Sequence, residues 1–150
     1  MAHSLSIKTK FGWFSAFENK GKIIKIKFGK TKKQTQNKIL KAYRINLINF
    51  FDKKEPKIRV PYKVEGNLIQ KKVWNELKRI SLGKTKSYGE IAKIYNLSPR
   101  HVGKICGQNK LLLSIPCHRV IRSDGTLGGF SSSGGIKLKK KLLDFEKTWK

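Results

Sequence analysis

A cysteine and a histidine lie side by side at Cys117 and His118, within the stretch Ser-Ile-Pro-Cys-His-Arg-Val-Ile-Arg over residues 114–122. The apolar run before them predicts a buried strand that ends at Pro116. A thiol at the end of a buried strand can be held rigidly while it faces a cleft, and an adjacent imidazole is a common acceptor of its proton. The pair therefore predicts a cysteine nucleophile with a histidine base. The alternative is a structural cysteine next to a surface histidine.

A carboxylate that could complete such a site lies near the end of the chain. The spacing of Leu138, Leu142 and Phe145 predicts a helix over 136–148 with one apolar face, and Glu146 lies beside that face. A carboxylate next to a buried face needs a partner, and a histidine is a natural one. Cysteine, histidine and carboxylate are the groups of hydrolytic triads. A cysteine hydrolase is therefore one of the functions that the sequence allows.

The cysteines argue against a metal site and for a reducing compartment. The chain has two, Cys106 and Cys117, and no Cys-x-x-Cys or His-x-x-His motif, so neither a metal nor another cofactor is expected. The first residues lack the apolar core of a signal peptide, and no run approaches the roughly 20 apolar residues of a membrane helix. We therefore expect a cytoplasmic protein with free thiols and no membrane association.

The composition is strongly basic. Lysine and arginine number 35 against 9 acidic residues, which gives a formal charge of +26, and 38% of the residues are apolar. That apolar fraction is enough for a folded core. The charge favours a polyanionic partner, nucleic acid first and an anionic membrane surface second.

The pattern of elements predicts two domains and an α/β (α+β) fold. Residues 4–28 alternate as strands, and residues 34–51 have helical spacing. The segment 52–66 contains prolines, a glycine and charged residues, and it is the best linker. We therefore expect a small α/β domain over 1–66 and a mainly helical domain over 67–150.

Two short helices after residue 86 form a helix-turn-helix candidate. Ser87 and Glu90 fit a capping box at the start of the first helix. Ser98 and Pro99 are a typical N-cap and first residue of the second helix. Arg100 falls in the exposed first turn of that helix, where a cation opposes the helix dipole, so we expect its compensation to come from outside the protein. Plain packing of two short helices is the alternative.

These stretches together resemble the O6-alkylguanine-DNA alkyltransferases, also called methylated-DNA–protein cysteine methyltransferases. Pro116-Cys117-His118-Arg119-Val120 is similar to the active-site signature of that family. The further similar motifs follow the family's order, namely Ser87-Tyr88-Gly89-Glu90-Ile91-Ala92, Arg100-x-Val102-Gly103, Asn109, Gly128-Gly129-Phe130-Ser131 and Leu142-Leu143-x-x-Glu146. The resemblance is strong from about residue 67 to residue 146. Upstream, the family carries a small ribonuclease-H-like α/β domain.

The resemblance implies DNA repair by a single, irreversible transfer of an alkyl group from O6 of guanine, and possibly from O4 of thymine, to Cys117. In that mechanism His118 accepts the thiol proton through a water and Glu146 holds the imidazole in place. Asn109 braces the loop near the cysteine. Tyr88 crowds the backbone phosphate and offers its hydroxyl to the guanine after it has rotated out of the duplex.

The resemblance also implies a set of substrate and DNA contacts. Arg100 would enter the space that the rotated base leaves, the Ser131 amide would approach O6, and the Val120 carbonyl would receive the guanine amino group. The full set is Tyr88, Pro99, Arg100, Arg119, Val120, Gly128 and Ser131. Two residues depart from the family: Lys110 stands in the loop before the predicted strand where a proline is usual, and Phe130 stands where many members have tyrosine.

The expected partner is double-stranded DNA that contains O6-alkylguanine, contacted in the minor groove by a monomer. A DNA-damage binder without transfer activity is the main alternative, although relatives of that kind lack the cysteine. An architectural DNA-binding protein with an incidental thiol is another. It predicts that Cys117→Ala leaves function intact, whereas the transferase predicts loss of repair with DNA binding largely kept.

Overall fold

The computed structural model describes residues 2–129 and 134–149. The chain forms two compact units, one of residues up to Val64 together with Lys110–Ser114, and one of Glu65–Asn109 together with the residues from Ile115 onward. The first unit combines an antiparallel sheet with a helix and the second unit is mainly helical, so the predicted α/β (α+β) class is confirmed. Among the described residues, no helix has both the length and the apolar character needed to cross a membrane.

The first unit is a three-stranded antiparallel sheet with one helix. The strands β1 (His3–Thr9), β2 (Gly12–Asn19) and β3 (Lys22–Phe28) lie in the order β1-β2-β3. The turn between β2 and β3 contains Lys20 and Gly21, which both have positive φ, at 51° and 81°, as a tight hairpin turn requires. Helix α1 (Lys38–Phe51) begins after Asn37, whose side chain accepts a hydrogen bond from Leu40 N, so it starts four residues later than the spacing predicts.

The apolar run before Cys117 is buried but is not a strand. Residues Leu111, Leu112 and Ile115 form only isolated bridges, and Leu113 has a left-handed φ of 71°. The Ile26 N–H donates to the Lys110 carbonyl at 2.8 Å, which attaches the start of this run to β3. The predicted strand was therefore wrong in conformation. The left-handed Leu113 interrupts the extended conformation, so only single bridges form on either side of it.

The second unit is mainly helical. It contains α2 (Leu68–Lys78), α3 (Tyr88–Tyr95), α4 (Pro99–Gly107) and α5 (Gly135–Lys147). Two short parallel strands, β4 (Lys86–Ser87) and β5 (Val120–Ile121), pair directly before α3 and directly after a single 3-10 turn at Cys117–Arg119. The indole N–H of Trp74 donates to the Ile105 carbonyl at 3.0 Å and ties α2 to α4.

The predicted caps produce the helix-turn-helix. Ser87 and Glu90 form the reciprocal capping box that begins α3. Asn96 ends α3 in a left-handed conformation with φ of 55°, and Ser98 caps α4, in which Pro99 is the first residue. This αL residue reverses the chain within three positions. The two helices of the predicted DNA-binding motif are thus present with the predicted boundaries.

Candidate active site

Cys117 lies at the wall of a cavity of about 650 Å³ in the second unit. The 3-10 turn and the β4–β5 pair hold its backbone, and the residue is only 7% exposed. Predicted site residues that line this cavity with it are Tyr88, Pro99, Arg100 and Gly128. The remaining lining residues were not predicted, and they are Gly103, Cys106, Gly107, Arg122 and Gly129. The volume is in the range of pockets that enclose small organic groups, and a nucleobase falls in that class.

The thiol of Cys117 is hydrogen-bonded to Asn109, the residue that we expected to brace the loop near the cysteine. The Asn109 Nδ2 group donates to Cys117 Sγ at 3.3 Å and to the Ile115 carbonyl at 2.9 Å, so one amide fixes both the sulfur and the chain before it. Burial raises the pKa of Cys117, while the hydrogen bond from Asn109 and the charge of Lys139 oppose that rise. The resting thiol is therefore protonated, and a reaction at sulfur needs a base.

His118 is placed as such a base. Its Nε2 lies 2.9 Å from Glu146 Oε2, and the ring is completely buried. Burial lowers the pKa of His118 more than Glu146 raises it, so the imidazole is neutral at pH 7. Because a carboxylate can only accept, Nε2 carries the proton, and Nδ1 keeps its lone pair. Nδ1 is buried and has no hydrogen-bond partner within residues 2–129 and 134–149.

Arg119 occupies a different place from the predicted one. We expected it among the substrate and DNA contacts, but it is only 8% exposed and its guanidinium points at Glu146. Its Nε donates to Glu146 Oε1 at 2.9 Å, its NH2 donates to Oε2 at 2.8 Å, and its NH1 donates to the Ile80 carbonyl at 2.7 Å. Arg119 is thus a bidentate partner of the carboxylate that orients His118. Burial disfavours the charge on Glu146, but the hydrogen bonds from His118 and Arg119 outweigh it and lower the Glu146 pKa to about 2.

Lys139 is the main site residue that sequence reasoning missed. It is fully buried, and its Nζ donates to the carbonyls of Leu127 at 2.6 Å, Val120 at 2.7 Å and Gly129 at 3.3 Å. The Tyr88 hydroxyl oxygen lies 3.2 Å from the same Nζ, so the three N–H groups of the ammonium are shared among four acceptors. Burial lowers the pKa of Lys139 to about 8. A signal was available, because Lys139 precedes Glu146 by seven residues and so shares its helix face.

Lys139 contacts two protein groups that were predicted to bind the substrate, the Val120 carbonyl and the Tyr88 hydroxyl. The Val120 carbonyl already accepts from Lys139, so one of its two lone pairs is engaged and the other is left for the predicted guanine contact. The Tyr88 oxygen accepts from Lys139, so its own hydrogen is left to donate elsewhere. Burial raises the pKa of Tyr88 to about 12, which keeps that hydrogen in place at neutral pH.

Gly128 is required by a close approach to Tyr88. Its φ is +73°, and a Cβ at this position would lie 3.0 Å from Tyr88 Cε2 and 3.1 Å from the hydroxyl oxygen. Any side chain would thus be strained in the backbone and would displace the ring that lines the cavity. The predicted contact at Ser131 lies outside the described residues.

The α4 side of the cavity carries exposed positive charge. Pro99 and Arg100 are both exposed in the first turn, which contains no acidic residue. Compensation of the Arg100 charge from outside the protein therefore stays a prediction. No group of three or more histidine, cysteine or acidic side chains that could hold a metal occurs in the part of the chain that the structure describes.

Comparison with known proteins gives a consistent set of relatives. The family model for the DNA binding domain of 6-O-methylguanine DNA methyltransferase matches residues 68–148. The methylated-DNA–protein-cysteine methyltransferase of Sulfolobus acidocaldarius is 46% identical over 98 residues, 65% of this chain and 61% of that protein. The enzyme of the same name from Metallosphaera sedula is 32% identical over 140 residues, 91% of this chain and 87% of that protein.

The similarity extends to solved structures. The Mycobacterium tuberculosis O6-methylguanine methyltransferase superposes with a TM-score of 0.87 at 28% identity, over 100% of this chain and 95% of that one. The M. tuberculosis protein OGT in complex with DNA gives a TM-score of 0.86 at 28% identity, over 97% and 93% of the two chains. With several curated relatives the chain aligns over only about three fifths of their length. Given the matched domain and the shared fold, this chain belongs to the 6-O-methylguanine DNA methyltransferase family.

Proposed function

We propose that this protein repairs DNA by transferring an alkyl group from O6 of guanine to Sγ of Cys117, once and irreversibly. The observation that carries the proposal is that Cys117 lines a cavity large enough for a base, accepts a hydrogen bond from the half-buried Asn109 and is followed in the chain by His118, which pairs with Glu146. The family's DNA binding domain supports DNA as the partner. Duplex DNA with O6-alkylguanine as substrate, contact through the minor groove and action as a monomer remain parts of the proposal.

The damaged base must first leave the duplex. Unstacking costs a few kcal/mol, and a damaged pair lowers that cost. Arg100 is exposed in the first turn of α4 and lines the cavity, so it is suited to enter the stack where the base was. The Tyr88 ring, which contacts Lys139 and lies close to Gly128, lines the same cavity.

The thiol is then activated by general-base catalysis. The Cys117 proton passes, through a water, to Nδ1 of His118, which is the unprotonated nitrogen of the ring. The Glu146 carboxylate stabilises the resulting imidazolium, and Arg119 keeps that carboxylate ionised and in place. Cys117 therefore loses its proton as its sulfur attacks the substrate, because burial disfavours a thiolate that forms beforehand.

The transfer itself forms an S–C bond and breaks the C–O6 bond of the modified guanine. The electron pair of the broken bond stays with the guanine, which takes up a proton. Tyr88 is the group placed to donate it, since Lys139 occupies its oxygen and leaves its hydrogen for the substrate. The product is a thioether, which the site cannot hydrolyse, so each chain reacts once.

The test is the mass of the intact protein after mixing with an oligonucleotide that contains one O6-methylguanine. We expect a single increase of one methylene mass, localised to Cys117 and limited to one per chain. Loss of the lesion with an unchanged protein mass would mean hydrolytic turnover and would contradict the mechanism. A bound but unaltered lesion would instead identify a damage-binding protein.

A further inference from the structure

Arg122 is a cavity residue that neither the predicted chemistry nor the helix-turn-helix uses. It directly follows β5, is exposed, and lines the same cavity as Tyr88 and Cys117. Its guanidinium makes no hydrogen bond or ion pair with the residues at 2–129 or 134–149. An arginine at the mouth of a reactive cavity, with all five of its donors available, is suited to bind an anion.

The backbone of Arg122 is nevertheless fixed. Its N–H donates to the Thr126 carbonyl at 2.9 Å, and its own carbonyl accepts from Gly125 N at 2.9 Å. Gly125 has a φ of +87°, which closes this tight turn. The guanidinium therefore extends from a rigid base, so little backbone order is lost when it binds a ligand.

The charges around Arg122 also favour an anion. Arg100 lines the same cavity, and the ammonium of Lys139 lies 3.2 Å from the hydroxyl oxygen of Tyr88, which also lines it. The carboxylate of Asp124 interacts with Arg122 through its charge, but its hydrogen bonds are with Thr126, whose N and Oγ1 donate to Oδ1 at 3.0 Å and 2.7 Å. Three cations near one cavity repel each other in the protein alone, and an anionic ligand would relieve that repulsion.

We propose that Arg122 binds the backbone phosphate of the nucleotide whose base occupies the cavity. This rests on the proposed function. A base that enters the cavity remains attached to its sugar and phosphate, which must stay at the mouth. Arg122 lies at that mouth and can form two parallel hydrogen bonds with phosphate oxygens, whereas Lys139 is buried and already donates to three carbonyls.

The experiment compares two substrates that differ in the phosphate. One is duplex DNA with a single O6-methylguanine, and the other is the free base O6-benzylguanine, which has neither sugar nor phosphate. For Arg122→Ala we expect the ratio of the DNA rate constant to the free-base rate constant to fall about 10- to 100-fold, the usual effect of losing a charge-assisted hydrogen bond. Arg122→Lys should recover only part of this, because an ammonium does not bind phosphate in bidentate fashion.

Arg79→Ala is the matched control. It removes one positive charge from the same unit, but the Arg79 side chain is 75% exposed and pairs with Glu76 at 3.3 Å, away from the cavity lining. We expect its rate ratio to stay within twofold of wild type. An equal loss in Arg122→Ala and Arg79→Ala would mean that only overall charge matters. An equal fall on both substrates would mean that Arg122 supports the cavity rather than the phosphate, and either result overturns the proposal.

A measurement of DNA affinity tests the Arg122 proposal independently of the proposed alkyl transfer. If the wild-type protein transfers no alkyl group from either substrate, the proposed function fails. The Arg122 proposal can still be tested in a Cys117→Ala background, by comparing affinity for the methylated duplex with affinity for the unmodified duplex. Arg122→Ala should reduce that preference about tenfold. An unchanged preference would overturn it.

Discussion

Replacing Glu146 with glutamine should destabilise the protein far more than its small change in shape suggests. The Glu146 side chain is 1% exposed and accepts hydrogen bonds from His118 and from two nitrogens of Arg119. Glu146→Gln leaves the Arg119 guanidinium buried without a counter-charge. Breaking such a pair costs about 3–5 kcal/mol in the free energy of unfolding. The lowering of the Glu146 pKa from 4.5 to about 2 corresponds to about 3 kcal/mol, which agrees in scale.

The pH dependence of this stabilisation has a definite sign. The pKa of Glu146 is lower in the folded than in the unfolded protein, so its contribution is complete above pH 4.5 and is lost as pH falls towards about 2. Urea unfolding followed by tryptophan fluorescence measures it. At pH 7 we expect Glu146→Gln to lower the free energy of unfolding by about 3–5 kcal/mol. The difference between variant and wild type should shrink as the pH drops below 4.5.

A control exists on the same helix. Lys140 and Asp144 form an ion pair at 2.8 Å, the distance of the Arg119–Glu146 pair, but their side chains are 66% and 56% exposed. Asp144→Asn should cost no more than about 0.5 kcal/mol. Equal, small losses in Glu146→Gln and Asp144→Asn would refute the reasoning that burial makes the Glu146 pair important. Replacing both Arg119 and Glu146 with apolar residues should recover much of the stability, because no unpaired charge remains.

Three other changes test the site. Cys117→Ser should abolish methyl transfer, measured by protein mass, while affinity for duplex DNA in a gel-shift titration stays within about threefold, a change of under 1 kcal/mol. Asn109→Ala should remove the hydrogen bond to sulfur, raise the Cys117 pKa further and slow its alkylation by iodoacetamide about tenfold, whereas faster alkylation would contradict the bond's role. Lys139→Met removes the positive charge near the Cys117 sulfur. Because Lys139 loses its proton as the pH passes about 8, a decline in the wild-type transfer rate above that pH should be absent from the variant. An alkaline decline that persists in Lys139→Met would assign it to another group.

The boundaries of the helix-turn-helix could be predicted because they depend on local chemistry. Ser87 bonds to Glu90 N, and Ser98 bonds to His101 N, each within three residues of the cap. Interactions of this range are encoded in adjacent sequence, so a pattern of residue types is enough to find them. The approach of His118 to Glu146 spans 28 residues. It was predicted from an apolar helix face, which placed a carboxylate where a partner was required, and from the resemblance to the alkyltransferases.

The two residues whose roles were not predicted, Arg119 and Lys139, are cations whose contacts lie far away in the sequence. Arg119 lies in the motif next to the nucleophile, and nothing local distinguishes an arginine that contacts DNA from one that pairs with Glu146. Lys139 lies among lysines in α5. Its position on the same helix face as Glu146 was the one sequence signal, and the backbone carbonyls that hold it belong to residues outside the helix. In a chain with 35 basic residues, the pattern of charge alone cannot indicate which cations are internal.

The cavity contains two thiols, and burial does not explain why Cys117 should react in place of Cys106. Both line the cavity, and both are 7% exposed. Burial raises the pKa of each, that of Cys106 to about 12, and the charge of Lys139 opposes the rise at both. What differs is the amide of Asn109, which donates to Cys117 Sγ, and the adjacent His118, whose Nδ1 can take the proton.

Selectivity between the thiols should therefore come from the partners of the sulfur and not from its access to substrate. With methylated DNA in excess, peptide mapping should find the methyl group on Cys117 and none on Cys106. In Asn109→Ala the total transfer should fall, and the methyl group should still map to Cys117, because the base remains beside it. Methylation of Cys106 in the wild-type protein would show that position in the cavity, rather than the hydrogen bond and the base, decides which sulfur attacks.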